Sequence, residues 1–148
     1  LVADVVGIID ELGGNVNLVG HDWGGGVAWM VATRHPERVR KLAILNAPHA
    51  ARFAQAMRCM PRQWLRSWYM FFFQIPGIPE RAMTANDARG IRRAFHGMAV
   101  DKTNFGPEVL DRYARDAQRP GAMKGMINWY RAAMRLGGKM RGPWPVIE

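Results

Sequence analysis

An aspartate surrounded by small residues is the sequence feature with the clearest chemical potential. Asp22 lies in the run GHDWGG, residues 20–25, between a short β-branched segment and a nearly all-apolar one. Small residues two before and two and three after a central side chain allow a strained turn that exposes that side chain. A carboxylate is ionised at neutral pH and attacks without help from a base, so Asp22 is a candidate nucleophile that forms an ester.

Two other interpretations of the same run are a phosphate-binding loop and an ordinary aspartate in a polar turn. The phosphate loop is disfavoured because the run is not GxGxxG, no Lys-Ser/Thr follows it, and an acidic centre repels phosphate. The structural aspartate stays open as an alternative. His21 is a tempting base beside Asp22, but a neighbouring side chain on a sharp turn is expected to point away from it.

Two of the three tyrosines, Tyr69 and Tyr130, lie on predicted apolar helix faces. Each belongs to a row of residues at helical spacing: Met123, Ile127, Tyr130 and Met134 in one row, and Leu65, Tyr69 and Phe72 in the other. Both phenols should therefore point inward, where a buried hydroxyl needs a partner. Two hydroxyls that converge on one oxygen would stabilise an alkoxide. The alternative is that both are core aromatics bonded to backbone, which is the interpretation given to Tyr113.

The elements that would position these residues follow from hydrophobic spacing. Residues 2–12 predict an amphipathic helix, 15–20 a strand, 27–32 a buried helix and 42–45 a parallel strand covered on both faces. From about Ala50 the pattern is helical, with helices near 62–73, 87–98, 107–118 and 121–136. The predicted fold class is α/β, with a parallel strand–helix–strand core piece followed by a helical insertion.

Several runs in this order resemble the epoxide hydrolases of the α/β-hydrolase superfamily. They are HDWGG at 21–25, HPERV at 35–39, LNAPH at 45–49, FQIPG at 73–77 with Tyr69 shortly before it, and NWYR at 128–131. The resemblance covers residue 1 to about residue 141. It implies an α/β-hydrolase fold with core and nucleophile elbow over 1–49, a helical cap over 50–141 and a return toward the core sheet over 142–148.

The resemblance also implies roles for individual residues in opening an epoxide to a vicinal diol. Asp22 would be the nucleophile, Tyr69 and Tyr130 would act on the epoxide oxygen, and the Trp23 backbone N–H would stabilise an oxyanion. The side chains that would contact a small apolar epoxide are those of Trp23, Phe72 and Trp129. No cofactor and no metal are implied.

Other parts of the family's catalytic machinery have no counterpart in this sequence. The resemblance implies a downstream His with an acidic residue and an upstream His-Gly-x-Pro loop, and neither occurs here. We therefore expect this chain to be part of a longer protein and to be inactive alone. Glu148, the last residue, is not assigned as the missing acid.

Two alternative functions remain open at this point. Haloalkane and haloacid dehalogenases of the same superfamily share an aspartate nucleophile, but they predict halide-binding groups in the cap where this sequence has tyrosines. A non-catalytic receptor or scaffold with the hydrolase fold is the second alternative, and it is favoured if the complete protein lacks the downstream His.

Composition limits the remaining classes. The chain has 148 residues, 49% of them hydrophobic, which suffices for a buried core. The net charge of +9 admits a nucleic-acid partner, but the 17 arginines are scattered among apolar residues, so we predict none. The single cysteine, Cys59, excludes an intrachain disulfide and suits a reducing cytoplasm. No apolar run is long enough to span a membrane, and whether the protein forms a homo-oligomer stays open.

Overall fold

The computed structural model describes the backbone of residues 1–137 and the side chains of residues 1–135. The chain divides into two compact units, of which the described parts are Leu1–Trp64, called unit 1, and 65–137, called unit 2. The predicted return toward a core sheet at 142–148 and the residue Glu148 lie outside the described residues. Within the described part, no helix combines the length and the apolar character needed to cross a membrane.

Unit 1 is built around a parallel pair of strands. Its elements in chain order are α1 Val2–Glu11, β1 Val16–His21, α2 Trp23–Arg34, a 3-10 turn at Pro36–Arg38, β2 Val39–Leu45 and α3 Ala50–Cys59. The two strands pair in parallel, with Val16 opposite Val39 and His21 opposite Leu45. The predicted strand–helix–strand piece is therefore confirmed, with β2 starting three residues earlier than its apolar run.

The core of unit 1 lies on one face of this sheet. Helix α2 packs on both strands and α1 packs on α2, which buries Ile9, Ala28, Val31 and Ala32. On the opposite face Val19 is 63% exposed and Leu45 is 52% exposed. The prediction that β2 is covered on both faces is thus wrong for the described residues, because no described helix covers that second face.

Unit 2 is helical. After α4 Pro61–Arg66, which contains the boundary between the units, it has α5 Trp68–Phe72, α6 Ile78–Met98, a 3-10 turn at Lys102–Phe105, α7 Pro107–Gln118 and α8 Ala122–Gly137. Its core combines side chains from α6, α7 and α8: Ala88, Ile91, Ala114, Ala117, Met123 and Ile127, with Phe73 and Met83 packed against them. Small alanines alternate with larger side chains, which lets the three helices approach closely.

Two of the predicted helices agree closely with the structure, and the agreement has a local cause. Helix α7 coincides with the predicted 107–118, and α8 lies within one residue of the predicted 121–136. Pro107 occupies the first turn of α7, where its missing N–H costs no hydrogen bond. Gly121, with a φ of +80°, immediately precedes α8.

Two other helix predictions need correction, and one helix was not predicted. The single helix near 62–73 is the pair α4 and α5, separated at Ser67, and Leu65 is 77% exposed and does not share a helical face with Tyr69. The helix predicted at 87–98 is the second part of α6, which is interrupted at Ala85–Ala88 by non-helical backbone. Helix α3 was not predicted, because its N-cap residue is His49, which is not a usual capping residue. The His49 Nδ1 accepts a hydrogen bond from the Ala51 N–H.

Candidate active site

Asp22 occupies the junction where β1 ends and α2 begins, in a strained backbone conformation. Its φ of 49° and ψ of −121° are unfavourable for a residue with a Cβ, and such conformations cost on the order of 1–3 kcal/mol. Two backbone hydrogen bonds stabilise the turn. The Asp22 N–H donates to the backbone carbonyl oxygen of Leu45 at 3.1 Å, and the Gly26 N–H donates to the backbone carbonyl oxygen of Asp22 at 3.1 Å. The strand pair and the helix together impose the strain.

The predicted need for small residues around Asp22 holds at two of the three positions. A Cβ on Gly20 would lie 2.7 Å from the Gly24 oxygen, and a Cβ on Gly25 would lie 2.6 Å from the Ala47 Cβ. Apart from its chain neighbours and the backbone of α2, no atom of the described residues lies within 4 Å of a Cβ built on Gly24, so space does not require a glycine there. Gly20 and Gly25 thus permit the close approach of α2 to the strands that turns the chain at Asp22.

The side chain of Asp22 is exposed and makes no capping hydrogen bond to α2. An aspartate retained for the turn alone would be expected to bond the amides of the helix that it precedes. Trp23 is the first residue of α2 and its side chain is half-buried. Its backbone N–H belongs to the first turn, where the helix dipole favours negative charge. Asp22 therefore presents an exposed carboxylate, and the Trp23 N–H beside it can stabilise negative charge.

The histidines of unit 1 are bound in ways that leave them without an evident role in proton transfer at Asp22. His21 is exposed, and its Nε2 lies 3.4 Å from the Asn46 side-chain nitrogen. His35 lies 3.7 Å from the Glu37 carboxylate, before the amino end of β2 and thus at the sheet edge opposite Asp22. His49 accepts a hydrogen bond from the Ala51 N–H and packs edge-on against Trp29, with ring centroids 5.2 Å apart.

The structure brings Tyr69 and Tyr130 together in unit 2. Their ring centroids are 5.6 Å apart and their planes are nearly perpendicular, at 83°. Phe73 packs against both, at 5.8 Å from Tyr69 and 4.9 Å from Tyr130. Edge-to-face contacts of this kind are favourable for aromatic rings. Two tyrosines separated by 61 positions in the sequence therefore share one aromatic cluster, which we call the tyrosine pair.

The helical rows that predicted these tyrosines hold only in part. Met123 and Ile127 are buried in the core of unit 2, with exposures of 6% and 1%, and Tyr130 follows them as a half-buried residue. Met134, the next member of the row, is 38% exposed and Tyr69 is 37% exposed. Within the described residues Tyr69 is thus not buried as its row predicted, and the α8 row leaves the core after Ile127 with Tyr130 half-buried.

The remaining predicted aromatic contacts lie near the tyrosine pair in sequence but differ in packing. Phe72 packs between Trp68 and Phe73, with centroid distances of 5.8 Å and 5.9 Å. Trp129 is 38% exposed on α8. Tyr113 belongs to a separate cluster and stacks on Phe95 at 4.4 Å, but it is 38% exposed and so is not the core residue that was expected.

Arg131 is the residue that the sequence analysis missed. Its guanidinium forms a paired contact with Glu80, with Nη1 to Oε1 at 2.6 Å and Nη2 to Oε2 at 3.1 Å. The hydrogen bond from Arg131 lowers the pKa of the Glu80 carboxyl below its usual range, and Glu80 in turn raises the pKa of Arg131. The only signal in the sequence was the place of Arg131 directly after Tyr130.

Comparison with known proteins assigns a fold to this arrangement. A family model described as alpha/beta hydrolase fold matches residues 2–129. The Bacillus subtilis protein named AB hydrolase superfamily protein YfhM is 38% identical over 141 residues, covering 95% of this chain and 49% of that protein. Human epoxide hydrolase 4 is 38% identical over 136 residues, covering 88% of this chain and 38% of that protein.

Solved structures give a similar result. The crystal structure of a Bacillus megaterium epoxide hydrolase in complex with an inhibitor superposes with a TM-score of 0.78 at 29% identity, covering 100% of this chain and 52% of that one. The chain thus spans half or less of the length of the curated relatives cited above.

Proposed function

We propose a function from a premise that the family match establishes: the chain belongs to the alpha/beta hydrolase fold family. Our proposal is that the complete protein is an epoxide hydrolase, which converts a small apolar epoxide and water into a vicinal diol. Identities of 37% and 38% to mouse and human proteins named epoxide hydrolase 4 support it. The observation that carries it is the tyrosine pair, Tyr69 with Tyr130.

In the first half-reaction, a carboxylate oxygen of Asp22 attacks one carbon of the epoxide ring. A new C–O ester bond forms, and the bond from that carbon to the ring oxygen breaks. The ring oxygen keeps the electron pair and receives a proton from a hydroxyl of the tyrosine pair. The exposed, non-capping carboxylate at the strained turn supports this role for Asp22.

In the second half-reaction, water attacks the carbonyl carbon of the Asp22 ester. The tetrahedral oxyanion is stabilised by the Trp23 N–H in the first turn of α2. Collapse of this intermediate breaks the bond from the Asp22 carbonyl carbon to the ester oxygen and restores the carboxylate. The ester oxygen leaves with one proton of the water as the second hydroxyl of the diol, and the other water proton passes from the base to the tyrosine. A His outside this chain, implied by the resemblance, is the proposed base for the water.

The tyrosine pair favours an epoxide over a haloalkane as the substrate. The leaving oxygen of an epoxide stays attached to the substrate and becomes a strong base, so its departure needs a proton donor. A departing halide is already a stable anion and needs only weak donors. Two phenols in one cluster supply proton donors for an epoxide oxygen, whereas a departing halide would not need them.

The other residues of the proposal line the substrate site or define its setting. Trp23, Phe72 and Trp129 are the proposed apolar contacts to the substrate. Arg92, Arg119 and Arg131 are each paired with an acidic residue of unit 2, which supports a structural use of the basic residues over nucleic-acid binding. A reducing, cytoplasmic setting is part of the proposal, and it rests on the sequence alone, which has one cysteine, Cys59.

The test compares an epoxide with a haloalkane of the same carbon skeleton, using the protein as its gene encodes it. We expect the epoxide to form an ester on Asp22, seen as a mass increase equal to the epoxide by intact-protein mass spectrometry, followed by diol release. Faster reaction with the haloalkane would favour a dehalogenase. No adduct and no product with either compound would favour a receptor or scaffold.

A further inference from the structure

Arg131 ties α8 to the segment that leaves α5. Its Nε donates to the Phe73 carbonyl oxygen at 2.9 Å, and its Nη2 donates to the Ile75 carbonyl oxygen at 2.9 Å. These two carbonyls lie in the first three residues after α5, which ends at Phe72. The guanidinium therefore spans from the helix that carries Tyr130 to the turn that follows the helix carrying Tyr69.

The same guanidinium is held from its other side by Glu80. All three nitrogens of Arg131 are engaged, since Nη1 also lies 3.3 Å from the Asn128 side-chain oxygen. The side chains of Arg131 and Glu80 are only 12% and 20% exposed, so solvent screens this pair weakly. Only arginine presents donors in the planar fork that a carboxylate and two carbonyls can use together.

Helix α5 has a particular need for such a tie. It has five residues, far fewer than a helix needs for stability on its own. The Phe73 N–H donates to the backbone carbonyl oxygen of Tyr69 at 2.9 Å. Phe73 is therefore bonded to Arg131 through its carbonyl and to Tyr69 through its N–H. The ring of Phe73 also packs against both tyrosines. Displacing Phe73 would therefore displace both members of the tyrosine pair.

We propose that Arg131 is a positioning residue for the epoxide-opening step: it holds the Phe73 turn against α8 so that Tyr69 and Tyr130 stay in one cluster. The inference rests on the proposed function, because it assigns Arg131 an effect that passes through the tyrosine pair. A merely structural arginine would stabilise unit 2 without altering the rate of ester formation on Asp22.

Unit 2 contains a matched control for this distinction. Arg92 makes the same kinds of contact: its Nε donates to the Asp87 carbonyl oxygen at 2.9 Å, and its Nη atoms bind the Asp87 and Asp111 carboxylates at 2.6 Å and 2.5 Å. These contacts join α6 to α7 and involve no residue of the tyrosine pair or the Phe73 turn. Arg92 thus matches Arg131 in chemistry and differs from it in what it holds.

The experiment measures ester formation and stability in the complete protein for Arg131→Lys and Arg92→Lys. Lysine keeps the charge but cannot bind two carbonyls and a carboxylate at once. A displacement of reacting groups by about 1 Å costs up to about 100-fold in rate. We expect Arg131→Lys to slow ester formation by about 10- to 100-fold with little change in substrate affinity. Arg92→Lys should lower the melting temperature and leave that rate unchanged.

A double-mutant cycle tests the route of the effect. If Arg131 acts through the tyrosine pair, then Arg131→Lys should slow ester formation less in the protein that carries both Tyr69→Phe and Tyr130→Phe than in the parent. Glu80→Gln serves as a second variant if Arg131→Lys does not fold, with a smaller loss of rate expected. Equal slowing in both backgrounds would overturn the proposal, as would an Arg131→Lys protein that is less stable but equally fast.

The two proposals fail in different ways. If Tyr69→Phe and Tyr130→Phe both leave ester formation unchanged, the proposed function is wrong and the positioning role is overturned with it. If the tyrosine variants are slow and Arg131→Lys is not, only the positioning role is wrong. The parent and all variants are therefore compared in one series with the same epoxide.

Discussion

The turn at Asp22 and the tyrosine pair are assembled on different principles. Asp22 is set by its immediate neighbours: one strand, one helix and the glycines that let them approach. Tyr69 and Tyr130 meet through ring packing between α5 and α8, and Arg131 of α8 bonds the segment after α5 across 56 and 58 positions of sequence. The turn at Asp22 can be recognised from a short sequence motif, whereas the tyrosine pair depends on contacts between residues that are distant in the sequence. Substitutions at Asp22 and in the tyrosine pair should therefore differ in the size of their effect on ester formation and in how many residues share that effect.

The largest expected effect is at Asp22, because its carboxylate is the proposed nucleophile. Asp22→Asn removes the anionic nucleophile and should lower ester formation by about 10⁴-fold or more. The measurement is intact-protein mass spectrometry after mixing the complete protein with an epoxide. Deamidation of the new asparagine is monitored in the same spectra. An adduct at undiminished rate on the intact asparagine variant would remove Asp22 from its role.

The tyrosine pair should give smaller, shared effects, because one phenol remains when the other is lost. Tyr69→Phe or Tyr130→Phe should slow ester formation by roughly 10- to 1000-fold, the scale of one oxyanion donor, and the double variant should slow it further. Phenylalanine keeps the ring, so substrate affinity should change little. Pre-steady-state rates provide the test, with Tyr113→Phe as the control. A double variant as fast as the parent would return both tyrosines to core packing.

The glycines around Asp22 should affect stability according to the space around each of them. A Cβ at Gly20 or Gly25 meets atoms at 2.7 Å or 2.6 Å, so alanine there should destabilise the protein by about 1–3 kcal/mol. Gly24→Ala is the matched control, because that position is open, and it should be neutral or stabilise by up to about 1 kcal/mol. Urea unfolding measures the differences. Equal losses at all three positions would contradict the close approach of α2.

The smallest expected effect is the pH dependence of the Arg131–Glu80 pair. Arg131 lowers the pKa of Glu80 in the folded protein, so the pair adds stability above the usual carboxyl pKa of about 4.3 and loses it as the pH falls through the lowered value. The melting temperature of the parent should exceed that of Glu80→Gln at neutral pH, and the difference should shrink below about pH 4.3. A difference that stays constant with pH would contradict this linkage.

Much of the fold was predictable because its signals are short in range. The branched residues before Asp22, the glycine run and the apolar segment of α2 specify a strand, a turn and a helix within about 20 residues. The start of α7 follows from Pro107 in the same way. The break at Ser67 and the left-handed residues Asn86, Asp87 and Ala88 inside α6 could not be predicted. They depend on packing within unit 2, where Ser67 and Ala88 are buried.

The same contrast divides the candidate site. The sequence by itself indicated Asp22 as a candidate nucleophile at a strained turn, because residue type and near spacing carry that information. The choice of Tyr69 and Tyr130 among the three tyrosines rested on the family resemblance, since spacing alone left them open as core aromatics. The tertiary structure alone decided that Tyr69 and Tyr130 share a cluster with Phe73, and that Arg131 bonds both Glu80 and the turn after α5. Contacts between residues 50 or more positions apart depend on how helices pack. Periodicity within one helix cannot specify the partner it meets.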